Sequence, residues 1–216
     1  MSRKPEPREM PPMTDAQRRS NWWHYHKRYI LIAVLVIAVI VFSVWERLSK
    51  DAPDCSVAMV VRFTPTSDEI AALQNALESV CPDANGDGEV SIALNVIRID
   101  YLSTDLDDAA VMDMTANVDK LNADFYTRQS GIFLLDDPAS FQTAHEALSY
   151  LDGSTPPEGA REWEKMALPW SRCEAVKDVA FMAGDTGGLW FARRMILNDK
   201  DRQAFAGAEA LWNALF

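Results

Sequence analysis

The hydrophobic positions along the chain fall into two regimes. From Tyr29 to Trp45 the sequence YILIAVLVIAVIVFSVW is apolar almost throughout, with Ser43 the one hydroxyl residue besides the boundary Tyr29. A run with no polar face suits a helix surrounded by hydrocarbon, and the roughly 20 residues a bilayer core needs are reached once the flanks count. Trp22, Trp23, Tyr25 and Tyr29 on one side and Trp45 on the other supply interfacial aromatic belts, while Lys27 and Arg28 snorkel to the headgroups.

After Asp51 strand-like and helix-like blocks alternate. Ser56–Phe63 (SVAMVVRF) is a continuous apolar run, the mark of a strand covered on both faces. Thr66-Ser67-Asp68-Glu69 is a capping box, and Ile70, Leu73, Leu77 and Val80 then repeat at helical spacing. Val90–Ile99 reads as a second strand, Asp107 to about Arg128 as a helix with Val111, Met114, Val118, Leu121 and Phe125 on one face, and Ile132–Leu135 as a third strand. Pro138 opens a further helix whose face carries Phe141, Ala144, Leu148 and Leu151. Asp152–Lys177 is loop-rich. Val179–Ala183 and Leu189–Leu197, separated by Gly184–Gly188, read as a hairpin or as two separate strands, and Asn198 caps a final helix bearing Phe205, Leu211, Trp212 and Leu215. The order predicts an N-terminal single transmembrane helix followed by a three-layer α/β domain with a mainly parallel central sheet.

Charge orients this arrangement. The chain carries a formal net charge of -11, yet Arg3, Lys4, Arg8, Arg18, Arg19, Lys27 and Arg28 against Glu6, Glu9 and Asp15 leave residues 1–28 at +4, so the remainder carries -15. By the positive-inside rule the basic tail is cytoplasmic and the acidic domain lies outside. No small-x-small site follows the apolar run, which exceeds a signal peptide's usual length, so the segment reads as an uncleaved anchor in the cell membrane. The expected divisions are 1–28, a Pro-rich disordered tail; 29–48, the membrane helix; 49–54, a linker; and 55–216, the extracytoplasmic domain. So acidic a domain repels nucleic acid, which is excluded as a partner.

The rhythm of the outer domain, above all FYTRQSGIFLLDDPASF, resembles part of one lobe of extracellular solute-binding proteins, in which a helix leads into a strand ending in an acidic residue near the cleft. The resemblance spans Ser56–Leu151. A second lobe is missing, so it implies a fold and not a clamshell that closes on a solute.

Two constellations carry candidate chemistry. Asp83-Ala84-Asn85-Gly86-Asp87-Gly88-Glu89 matches the first half of an EF-hand-type calcium loop, with the carbonyl of Glu89 as a further donor. Leu94 stands where the bidentate carboxylate belongs, which excludes the full EF-hand. The same residues form a helix-to-strand turn, and both readings, turn and weak calcium site, are open. Asp100, Asp136 and Asp137 fall at strand ends on the carboxyl edge, where open α/β sheets bind ligands, although Asp137 also suits a cap for the helix at Pro138. His145 is expected on a helix surface. Gly-x-Ser-x-Gly, His-Glu-x-x-His and phosphate-loop motifs do not occur. Of the three cysteines, Cys55 opens a strand and Cys81 closes the helix that runs back down, so these two are expected to bridge outside the membrane and leave Cys173 free. The expectation is a membrane-anchored binding or interaction module, with an envelope protein as a partner; a flat apolar patch around Trp163 and Trp170 would favour it, and a pocket with three or more converging acidic groups would favour the alternative. The alternative is a metal-assisted hydrolase using the strand-end carboxylates.

Overall fold

The computed structural model describes residues 14–49, 53–103, 107–181 and 188–216. The chain divides into two compact units, residues 1–51 and 52–216. In the first, a helix, α1, runs Asp15–Ser49, and its Trp22–Phe42 stretch is long and apolar enough to cross a membrane. The helix begins before the apolar run and takes in Asp15–Arg28, part of the expected tail. Its His26 Nδ1 lies 2.8 Å from the Trp22 carbonyl and its ring stacks on Trp22, a contact one helical turn apart.

In the second unit, β1 (Cys55–Val61), α2 (Ser67–Glu78), β2 (Ile92–Arg98), α3 (Asp108–Thr127), β3 (Ile132–Leu135) and α4 (Pro138–His145) follow one another as the apolar pattern predicts. The caps have the expected chemistry. Thr66 Oγ1 accepts from the Glu69 amide while Glu69 Oε2 accepts from the Thr66 amide at 2.6 Å, and Asp107 and Asp137 cap α3 and α4. After α4 come β4 (Ala167–Pro169), β5 (Trp190–Arg193), α5 (Asp199–Ala204) and α6 (Ala206–Leu215).

The sheet order is β2-β1-β3-β5-β4. β1 pairs in parallel with β2 and β3, whereas β5 pairs antiparallel with both β3 and β4, so the sheet is mixed and not mainly parallel. The cause lies after α4. A parallel neighbour needs a crossover, usually helical, but the chain there runs through irregular structure, and β5 enters beside β3 in the opposite direction. α4 itself stops at His145, where Glu146 turns left-handed (φ 49°), and Leu148 instead bridges to Arg194 at the sheet. The expected single final helix is divided at Phe205, and Val179–Phe181 forms no strand. Residues 182–187, which include most of the Gly184–Gly188 turn, lie outside the described residues.

Period-two alternation in β1 builds both cores. Val57, Met59 and Val61 face α2 and α6, with Leu73, Leu77, Leu211 and Trp212 buried there. Ala58 and Val60 face α3 and α4, against Leu121, Phe133 and Phe141. The result is a helix–sheet–helix sandwich. Side chains cap backbone groups along the β2 edge: Ile92 N–H donates to Glu78, Arg98 N–H to Asn117, and Lys120 Nζ donates to the Val96 carbonyl at 2.6 Å. An edge so occupied is poorly suited to pair with another strand.

Candidate functional site

The carboxyl edge gathers Asp100, Asp136 and Asp137, but each is already engaged. β1 leads to α2 on one face and β3 to α4 on the other, so their ends flank the point where ligands enter open α/β sheets. Asp136 closes that point. Its Oδ2 accepts from the Arg62 backbone amide at 2.9 Å and from Arg62 Nε at 3.0 Å. These bonds, aided by the charges of Asp100 and Asp137, push the Arg62 guanidinium further up. Asp137 Oδ1 caps α4 through the Ser140 amide, and Asp100 Oδ1 accepts from the Leu102 amide. A cleft of about 180 Å³ beside them is lined by Arg62, Asp100 and the ion pair Arg98–Asp113.

The Asp83–Glu89 loop is a turn held from two directions. Asp83 accepts from the Gly86 and Gly88 amides, Asn85 from Asp87 and Asp87 from Glu89, while Gly86 and Gly88 adopt φ of 77° and 90°. These bonds hold the turn from within. No group of three or more His, Cys, Asp or Glu able to hold a metal occurs among the described residues. The outside support is Asp54, whose carboxylate accepts from the Ala84, Asn85 and Ser91 amides at 2.7, 3.0 and 2.9 Å. Burial opposes its charge, but these amides outweigh burial and hold its carboxyl below the ordinary value. Asp54 has no signature in sequence; an aspartate in a linker is unremarkable until the fold brings the loop to it.

Cys55, Cys81 and Cys173 are free thiols and all buried, so the expected Cys55–Cys81 bridge is not formed in this structure. Burial, then the neighbouring Cys81 and Asp54, pushes the Cys55 thiol up to about 12, and burial with Asp54 and Glu78 raises Cys81 to about 11. The tryptophans pack against the fold, Trp163 only in part. Trp170 is buried and stacks on Phe191, and Trp163 packs edge-on against Trp190, so they form no flat exposed patch.

His145 is also no surface residue. It is half-buried among Phe125 and Phe141, with Nε2 2.9 Å from the Tyr101 hydroxyl. Burial lowers its pKa and raises that of Tyr101, so the pair is neutral near pH 7. Beside it opens a cavity of about 390 Å³ at the amino end of β3, between the ends of α3 and α4 and the segment from Arg194 to α5. Arg128 and Arg194 both line it. Arg128 Nε pairs with Asp201 Oδ1 at 2.6 Å. Arg194 is sandwiched between the Phe125 and Phe205 rings, donates to the Phe125 carbonyl at 2.6 Å and lies 3.6 Å from Asp124. Asp124 is buried and also accepts from Ser130 Oγ at 2.5 Å. The signal for this cluster is Arg193-Arg194 at the end of an apolar strand. Alternation sends Arg193 towards Glu209 and Trp212 of α6, and Arg194 towards α3.

Comparison of the chain with protein-family models, with curated proteins and with solved structures found no match. The likeness to a lobe of solute-binding proteins therefore rests on the sequence rhythm alone.

Proposed function

We propose that the chain is a membrane-anchored binding module whose folded unit stands outside the cell and holds a ligand without transforming it. The observation that carries this reading is the engagement of the strand-end carboxylates. Asp136 is tied to Arg62, Asp137 to the α4 cap and Asp100 to its own turn, while the larger cavity of about 390 Å³ lies elsewhere and mixes apolar walls with hydrogen-bonding groups. A volume of this size falls within the range of small-molecule pockets. Trp170, buried, and Trp163, half-buried against Trp190, favour a small ligand over an envelope protein docked at that face. Anchoring is supported by the apolar helix and by the basic residues that precede it.

Two measurements test the parts separately. Protease added to intact cells is expected to remove the folded unit while sparing an epitope at Ser2; a protected C-terminus overturns the placement. Native mass spectrometry of the full chain released from the membrane is expected to show a non-covalent small-molecule adduct. Hydrolysis of ester or phosphoester substrates that disappears in Asp136→Asn, with the fold intact, would replace binding by catalysis.

A further inference from the structure

We infer that the cavity beside His145 is a site for a small amphipathic acid, its anionic head clamped by Arg128 and its apolar body lying on Phe125, Met195 and Leu197. The inference rests on the binding reading above and names the ligand class for that same cavity.

An account of donors and acceptors around the cavity decides the sign of the ligand. Both lining carboxylates are spent. Glu146 Oε1 pairs with Arg161 at 3.2 Å and Oε2 accepts from the Gly159 amide; Asp201 Oδ1 takes Arg128 Nε and Oδ2 takes the Leu197 amide at 3.0 Å. Asn198 Oδ1 is spent on the α5 cap. The donors are not spent. Among the described residues Arg128 Nη1 and Nη2 and Asn198 Nδ2 make no hydrogen bond, although all three belong to residues lining the cavity. Arg128 and Asn198 thus offer donors, His145 Nδ1 donates or accepts according to its tautomer, and a guanidinium with both Nη atoms free suits a carboxylate or a phosphate monoester.

The backbone adds an independent sign. Arg128 (φ 58°) and Glu146 (φ 49°) are the only non-glycine residues with positive φ among the described residues, they end α3 and α4, and both line this cavity. Glycine takes that conformation without the cost of about 1–2 kcal/mol that a side chain incurs. The chain keeps a long charged side chain at both positions. Asp201 holds Arg128 Nε and so fixes the plane of the guanidinium before a ligand arrives.

Charge balance narrows the class further. Asp124 and Asp201 stand against Arg194 and Arg128, so the head group meets directed hydrogen bonds and not a net positive field. An inorganic anion gains little there, while an acid with an apolar body also buries against Phe125 and Met195. Leu197, 67% exposed at the rim, gains cover by the same event.

The test is calorimetric titration of the full chain in lipid nanodiscs, with empty discs as background. Phenylacetate, hexanoate and hexyl phosphate are the amphipathic probes, phenylacetamide is the neutral isostere, and inorganic phosphate is the bare anion. Saturable binding of at least one amphipathic acid is expected, with phenylacetamide and inorganic phosphate at least tenfold weaker. Comparison of hexanoate with hexyl phosphate distinguishes the two head groups. Arg128→Gln is expected to weaken the acid about tenfold or more, the loss of one charged bidentate contact, and Arg128→Lys to fall between. If Arg128→Gln does not fold, the acid–amide comparison on the unaltered chain decides. The inference falls if no acid binds, or if acid and amide bind alike. A persistent native adduct in either case leaves the binding reading standing with a ligand of other chemistry.

Discussion

Asp54 ties the bottom of β1 to the turn after α2, because its one carboxylate accepts from the amides of Ala84, Asn85 and Ser91. Asp54→Ala is therefore expected to cost about 3 kcal/mol in urea unfolding, as three partly buried donors lose their acceptor; a change under about 0.5 kcal/mol, the range of ordinary surface substitutions, would show that water replaces it. His145 sets a second expectation. Burial depresses its folded pKa below the ordinary value of about 6.5, so the unfolded chain binds the proton more readily. The stability it contributes is present above pH 6.5 and is lost as pH falls through the folded value. Unfolding free energies measured on either side of pH 6.5 should diverge more for the unaltered chain than for His145→Gln. Equal divergence would mean that the acidic groups alone set the pH response.

At the scale of elements, close approach of α6 depends on what a glycine lacks. A Cβ at Gly207 would stand 1.8 Å from the Asp54 carbonyl oxygen, and at Gly131 2.4 Å from Ala208 Cβ. Gly207→Ala is expected to destabilise the fold by about 2–4 kcal/mol, although alanine is the better helix former by about 1 kcal/mol. Gly188→Ala, with open space around it, is the control and should change little. The β1–α2 unit carries a further prediction. Cys55 and Cys81 lie in the same buried cluster, and the Asp54–Ala84 bond draws their ends of the unit together. In protein recovered from an oxidising compartment, non-reducing peptide maps are expected to join Cys55 to Cys81 and leave Cys173 a thiol. Closing a loop of about 26 residues would add roughly 3 kcal/mol. A map that joins Cys173 to either would sink this pairing. The raised thiol values make both cysteines slow to react while folded, so bridging should occur before or during folding.

For the molecule as a whole, the unit from residue 52 onward is compact in itself and builds a core on each sheet face. A chain lacking residues 1–49 is expected to remain soluble and to melt within a few degrees of the full chain; aggregation or loss of a cooperative transition would show that α1 also supports the fold. The apolar run at Tyr29–Trp45, the capping box at Thr66, the strand Ile132–Leu135 and the Asp137-Pro138 helix start were all legible in sequence, because each depends on residues within a turn or two of one another. The direction of β5, the early end of α4 and the Arg128–Arg194–Asp201 cluster were not. Each depends on partners far apart in the chain: Ile132 with Arg193, Leu148 with Arg194, Arg128 with Asp201. The placement of Asp100, Asp136 and Asp137 at one edge followed from strand order, but their engagement by Arg62 and local amides required side-chain geometry. Local periodicity and capping chemistry thus determined the elements and the long apolar helix. Packing of distant segments decided which charges were spent on the fold and which donors were left facing a cavity, since hydrogen-bond partners are allotted only when the layers close.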